Sequence, residues 1–305
     1  MDDLIQLWRT PSPGKYMIAG WRQWADAGGV SSGLPKYLIG HTQATKVGEI
    51  KSGDFYLFQI PGTHHLLRPV VKLKEGHPIR LERRRNELFW SGDDVEGFLI
   101  FLGDEPHRSP ERYAEAFLDV VEAWGVRRVA AVAGVHGPVP YDKDRNISCL
   151  YSLPRMKDDL AKYSVNLSDY EGGASISTFL ADRAEPRGID FLAFYALVPS
   201  YDFSKPSALV QPMAMRRDYK AWYDVMRRLD HMFELGLDLS DLERRAGELI
   251  AKWDANIEKL AEAMPQLRIK DYMEEVNREF SEMSFEPLSD LWREALGRLF
   301  DESEE

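Results

Sequence analysis

Gly97-Phe98-Leu99-Ile100-Phe101-Leu102-Gly103 is followed by Asp104-Glu105-Pro106 and then by Ser109-Pro110-Glu111-Arg112-Tyr113. Five consecutive apolar residues between glycines read as a strand covered on both faces. Serine followed by proline marks a helix start, the proline pre-setting the first helical residue and the serine standing at the cap. Tyr113, Phe117, Val120, Val121 and Trp124 then recur at helical spacing, and Arg128 to Val135 is a second apolar strand. Strand, helix, strand in this order predicts an α/β domain with a largely parallel sheet flanked by helices.

The pattern extends both ways from this unit. Upstream, Tyr16 to Trp21 reads as a strand and Val30 to Ile39 as a helical run, with Asp26 the predicted cap of a helix beginning near Ala27. Ala44 to Ile50 and Phe55 to Ile60 read as strands. Ile79 to Arg83 and Leu88 to Trp90 read as a hairpin turning at Asn86-Glu87. The run Arg83-Arg84-Arg85 reads as its solvated tip or face. Downstream, Gly172 to Asp182 is expected to be helical and Phe191 to Val198 to be a further central strand.

The last ninety residues differ. Residues 1–215 carry 25 Lys and Arg against 27 Asp and Glu, whereas residues 216–305 carry 14 against 23. Pro199, Pro206 and Pro212 precede the change and predict a linker. Four stripes at helical spacing follow: Tyr219 to Phe233 ending near Gly236, Leu239 to Met264 with Ser240 and Glu243 as a capping box, Tyr272 to Met283, and Leu291 to Leu299. The expected organisation is an α/β core over 1–215 and an all-helical extension over 216–305.

Composition bounds the function. Of 305 residues, 44% are hydrophobic and 29% charged, with a net charge of −11. Such a balance supports a globular core and argues against a nucleic-acid footprint. The single cysteine, Cys149, excludes an internal disulfide and multi-cysteine metal sites. The longest apolar runs fall far short of the roughly 20 residues a membrane helix needs. Met1-Asp2-Asp3 is acidic where a signal peptide is basic, so a cytoplasmic protein is expected.

The chain carries no P-loop, and Gly28, Gly29 and Gly33 miss the dinucleotide spacing. Gly173-Ala174-Ser175-Ile176-Ser177 lacks the closing glycine of a nucleophile elbow. His64-His65 are adjacent and lack a helical ligand partner, so neither a metal nor a cofactor is expected. What stands out is the polarity of the turns after the predicted strands. In open α/β sheets these turns line the usual ligand crevice. Trp21, Asp26, Gly28, Gly103, Glu105, His136, Tyr141 and Tyr201 are therefore the expected lining of one binding pocket, with no catalytic residue assigned.

The same turns resemble the proteasome assembly chaperone 2 family. The resemblance rests on Gly20-Trp21 through Asp26-Ala27-Gly28, Leu102 through Pro106, Gly134-Val135 through Val139-Pro140, Tyr170 through Gly173, and Leu197 through Tyr201, in that family's order. It also rests on the helix opening Leu239-Ser240-Asp241-Leu242, similar to the helical tail of bacterial members. The resemblance implies a phosphorylase/hydrolase-like α/β core with appended helices, self-association, and in relatives binding to proteasome subunits. Two segments depart from the family pattern. Tyr141-Asp142-Lys143 stands where relatives often carry His-Thr-Arg, and the sequence closes on Ser303-Glu304-Glu305 rather than a hydrophobic-Tyr motif that docks on proteasomes. The expected function is a non-enzymatic binding or assembly protein. The alternative is a small-molecule enzyme of hydrolase, phosphorylase or ligase type, with Asp26, Glu105 and His136 as acid/base candidates.

Overall fold

The computed structural model describes residues 3–8, 16–58, 68–82, 84–93, 96–167, 169–203 and 213–285. The strands are β1 (Ile5–Leu7), β2 (Tyr16–Arg22), β3 (Thr45–Ile50), β4 (Val70–Lys74), β5 (His77–Glu82), β6 (Glu87–Gly92), β7 (Gly97–Asp104), β8 (Arg128–Gly137), β9 (Ile147–Tyr151), β10 (Asn166–Leu167), β11 (Asp190–Tyr201) and β12 (Met213–Ala214). The helices are α1 (Val30–His41), α2 (Pro110–Ala123), α3 (Lys157–Leu160), α4 (Ile176–Ala184), α5 (Tyr219–Phe233), α6 (Ser240–Ala263) and α7 (Ile269–Glu279).

The main sheet runs β1-β3-β6-β7-β2-β8-β11-β9-β10, with β12 on the outer end of β11. Its centre, β7-β2-β8-β11, is parallel. β3 and β6 on one side and β9 on the other join antiparallel. The α/β expectation holds in a mixed sheet whose parallel part is the core.

Alternation along each central strand divides the interior into two layers. Ile18, Ile100, Val132, Phe194 and Val198 face α1 and the C-terminal helices, whereas Met17, Ala19, Phe101, Ala131, Phe191 and Ala193 face α2 and α4. The first layer continues into Trp222, Val225, Leu229, Trp253, Ile257 and Met273, so the stripes of α5, α6 and α7 close one face of the sheet.

Several local expectations are corrected. Phe55 to Phe58 form a loop rather than a strand, and Phe55 accepts from His107 N and Arg108 N through its carbonyl. Ile79 to Glu82 pairs with β4, not with Leu88 to Trp90, and Asn86 is buried beside β7 rather than exposed in a turn. The helix predicted from Gly172 begins at Ile176. Pro199 is no linker residue: it sits inside β11, opposite Gly137. The start of α6 is held by Asp238, which accepts from Ser240 N at 2.9 Å, so the Ser240–Glu243 capping box does not form. α5 ends through Glu234 in the left-handed region instead of Gly236. The Leu291 to Leu299 stripe lies outside the described residues.

Candidate functional site

Four parallel strands necessarily end on the same side, and the turns leaving them meet there. After β2, Gln23 takes φ 113°, a backbone conformation that non-glycine residues rarely tolerate. The Gln23 amide, oriented by its neighbours, accepts from the Arg84 guanidinium at 2.7 and 2.9 Å and donates to the Glu105 carbonyl at 3.2 Å. The twist at Gln23 throws Trp24 outward, and it is 71% exposed.

Glu105, in the turn after β7, ties two elements together. One carboxylate oxygen accepts from Trp24 N at 3.2 Å and the other from Ile176 N at 2.8 Å, the first residue of α4. Burial raises its pKa against the pull of those two N–H groups. Asp26 has a parallel role. Its oxygens accept from Ser32 N at 2.8 Å and from the Ser32 hydroxyl at 2.6 Å, and burial raises its pKa as well. Asp26 thus holds the third residue of α1 across a short 3-10 turn, which corrects the expectation of a helix starting at Ala27. Both oxygens of each carboxyl are occupied, three by backbone N–H groups and the fourth, on Asp26, by the Ser32 hydroxyl.

The 26–29 turn leaves no room for side chains beneath it. A Cβ on Gly134 would stand 2.2 Å from the Ala27 carbonyl oxygen, and Gly134 N donates to the Ala25 carbonyl at 2.9 Å. Gly28, at φ 62°, presents its carbonyl to Trp222 Nε1 at 3.0 Å and to Asp218 N at 2.9 Å. One step beyond Gly134, Val135 and His136 emerge at the surface.

Trp21 and Gly103 lie below this surface. The Trp21 indole donates to the Tyr113 hydroxyl at 2.8 Å; Tyr113 and Tyr56 donate to Asn86 Oδ1 at 3.0 and 2.7 Å. A Cβ on Gly103 would meet the Phe101 ring at 2.7 Å and the Tyr113 hydroxyl at 2.9 Å. Beside them the buried Asp104 carboxylate holds Arg22 and Arg84 at 3.1 Å and accepts from Arg85 N at 2.9 Å. The Arg84 side chain is therefore an anchor rather than a solvated tip, whereas Arg85 is held through its backbone N–H and keeps its side chain in solvent beside Glu87; Arg83 lies outside the described residues.

Tyr141 and Tyr201 turn toward the C-terminal helices rather than a shared hollow. The Tyr141 hydroxyl donates to Asp254 Oδ1 at 2.6 Å on α6, and its ring lies 6.0 Å from Trp253. Tyr201 is fully buried against Trp253 and Tyr272 and donates to the Val139 carbonyl at 2.8 Å. The structure brings Asp26, Glu105 and His136 toward one face, places Trp21, Gly28 and Gly103 beneath it, leaves Tyr141 half-buried against α6, and buries Tyr201 under the C-terminal helices.

The loop over 140–146, after β8, is tied to α5 by a buried charge network. Arg145 Nε pairs with Asp218 at 2.8 Å, both side chains without solvent exposure. Its guanidinium also donates to the carbonyls of Pro140, Tyr141 and Lys143, and Arg145 N donates to Asp224. Asp224 and Asp144 gather Lys220 and Arg227.

Sequence reading missed the apolar part of the face. Trp24, Val135 and Tyr170 are 71%, 36% and 74% exposed. The Gly173 Cβ position lies 3.9 Å from the Trp24 ring, and that of Gly172 lies against the Tyr170 ring, so the 170–173 loop adjoins Trp24. The signal was a tryptophan among polar residues in Arg22-Gln23-Trp24-Ala25-Asp26. Among the described residues, no group of three His, Cys, Asp or Glu side chains is placed to hold a metal ion, and no helix is long and apolar enough to cross a membrane.

The model of the PAC2 family matches residues 21–261, which includes every turn of this face. The chain belongs to the PAC2 family. In fold, this PAC2 chain is similar to a protein of unknown function from Corynebacterium glutamicum, with a TM-score of 0.73 and 17% identity over 91% of this chain and 97% of that one. It is similar to a Mycobacterium tuberculosis proteasome-assembly chaperone homologue, with a TM-score of 0.67 and 18% identity over 79% of this chain and 94% of that one. A third PAC2-like neighbour is an archaeal proteasome activator from Pyrococcus furiosus, with a TM-score of 0.60 and 18% identity over 83% of this chain and 98% of that one. At these identities the likeness is one of fold. No curated protein matches the sequence.

Proposed function

We propose that this PAC2 protein is a non-enzymatic, chaperone-like binding protein that acts in the cytoplasm, associates with itself, and grips a protein partner through the strand-end face. Trp24 carries the reading: a tryptophan 71% exposed, projected by a strained residue and pinned through its backbone by Glu105. Large aromatics on a rigid frame are the side chains that dominate protein interfaces. Tyr170 and Val135 extend the same surface. Membership of the PAC2 family gives a chaperone-like role at family level. Two neighbours in fold, one a proteasome-assembly chaperone homologue and the other a proteasome activator, make a proteasome subunit the first partner to try. The commitment of both Asp26 oxygens and both Glu105 oxygens to structural hydrogen bonds, three with backbone N–H groups and one with the Ser32 hydroxyl, favours binding over acid/base chemistry.

The test is affinity capture from native lysate followed by binding measurements with the recovered partner. Trp24→Ala and Tyr170→Ala should each weaken binding at least tenfold with an unchanged melting temperature. Recovery of no stoichiometric protein partner, or undiminished affinity in both variants, would refute the reading.

A further inference from the structure

Ser91 in β6 is registered opposite Phe98 in β7, and directly paired residues project to the same side of a sheet. Phe98 belongs to the layer that faces α1 and the C-terminal helices, so Ser91 points that way as well. Tyr16 starts β2, one residue before the Met17–Leu99 pair, and packs in the same layer. The end of α5 covers these positions: Phe233 is its last residue, and the Phe233 ring stacks on Tyr16 at 4.3 Å. Here lies a cavity of about 380 Å³, at the small end of the range of ligand sites, which also touches Glu96, Glu234 and Leu237. Its wall is more polar than apolar.

Three features of the cavity favour a cation. Ser91 is only 6% exposed, yet its hydroxyl bonds to no protein group among the described residues and faces the cavity. Glu96 and Glu234 are exposed at the mouth, and neither carboxylate pairs with a Lys, Arg or His among the described residues. The last carbonyls of a helix lack intrahelical partners and form its negative pole. α5 brings that pole here: the N–H groups of Glu234 and Leu235 both go to the Asp230 carbonyl, which leaves the carbonyls after it for another donor. His231, the basic residue of this last turn, packs against Tyr163 and Phe285 instead.

The chemistry of the wall selects among cations. A bare divalent ion takes about six or more oxygens, and no three His, Cys, Asp or Glu side chains are grouped to hold one among the described residues. A quaternary ammonium needs open aromatic faces, whereas the Tyr16 and Phe233 rings cover each other. Protonated primary and secondary amines carry N–H donors that suit a hydroxyl, carbonyls and carboxylates alike. Short methylene segments between them match the apolar part of a mixed wall. We propose that this cavity binds a linear aliphatic polyamine, with one ammonium group donating to Ser91 Oγ and the α5 carbonyls and the others meeting Glu96 and Glu234. The site stands at the N-terminal end of the parallel strands. The Trp24 face stands at the other end, roughly 25 Å away along the eight residues of β7, so the proposal does not rest on partner binding and the two can fail separately.

Isothermal titration of the full chain with spermidine, in physiological salt, tests the site. The native protein should show one saturable site. Glu96→Gln/Glu234→Gln should weaken binding by about tenfold or more, and Ser91→Ala by roughly threefold to tenfold, each with an unchanged melting temperature. Glu274→Gln/Glu275→Gln makes the same change of charge at exposed positions of α7 and should leave the affinity as it was. Absence of saturable binding, or affinity undiminished in the cavity variants, would overturn the proposal. So would an equal loss in the α7 variant, which would mean diffuse attraction to an acidic chain, and so would displacement of spermidine by equimolar magnesium chloride, which would mean a site for bare charge.

Discussion

Replacing Asp218 with asparagine should expose how much of the stability rests on the buried link between the 140–146 loop and α5. Asp218 and Arg145 are both without solvent exposure, 2.8 Å apart. Removing one partner of a buried pair costs about 3–5 kcal/mol, because the remaining charge stays buried without its counter-ion. Here the guanidinium keeps three carbonyl acceptors, and the Asp224 carboxylate, held by Arg145 N, still favours its charge, which places the expected loss for Asp218→Asn near the lower end, about 3 kcal/mol. Asparagine preserves the second duty of the side chain, capping α5 at Ala221 N (3.0 Å). Asp218→Ala removes that too and should lose about 1 kcal/mol more. Urea titration followed by tryptophan fluorescence reads these losses as shifts in midpoint at constant slope. Arg145→Met/Asp218→Asn should cost less than the sum of the single changes by about 2 kcal/mol, since the first substitution already breaks the pair. An Asp218→Asn loss below about 1 kcal/mol, or simple additivity, would show that the pair does not hold the loop to the helix.

Other consequences can be checked on the same material. Gly134→Ala should cost about 3 kcal/mol or more, because its Cβ would enter the Ala27 carbonyl, whereas Gly40→Ala, with open space around it in α1, should stabilise by roughly 0.5–1 kcal/mol; thermal melts of the two variants decide. Burial would raise the Asp144 carboxyl, but Lys220 and Arg227 outweigh it and bring it down to about 2. A folded-state value below the ordinary 3.8 gives stability that is full above about pH 4 and is lost as pH falls toward 2, so Asp144→Asn should flatten that part of the Tm–pH curve. Burial pushes the Cys149 thiol up to about 12; a thiol reagent should leave the native protein unlabelled and label one group in urea.

The central strands were legible because apolar runs such as Phe98 to Leu102 and Phe191 to Val198 have one physical explanation, burial on both faces. The helical stripes were legible for the same reason. Ile79 to Glu82 misled because alternation identifies a strand but not its partner: the segment pairs backward with β4 in a two-stranded sheet of its own. Pro199 was read as a break, yet a β-strand tolerates proline where no ladder donor is needed. For the site, the topology rule located the right turns. It could not separate Trp21, which points into the core, from Trp24 three residues on, which points out; that depends on the backbone of Gln23.

One contact links distant parts of the chain in time as well as space. The Gly28 carbonyl receives its partner from Trp222, 194 residues later. At synthesis rates of roughly 5–20 residues per second, that partner leaves the ribosome about 10–40 s after the turn itself. During the interval the nascent sheet shows one apolar layer uncovered. The last third of the polypeptide therefore acts as the lid that ends a vulnerable stage of biogenesis, and premature termination before α5 would release a chain prone to aggregate.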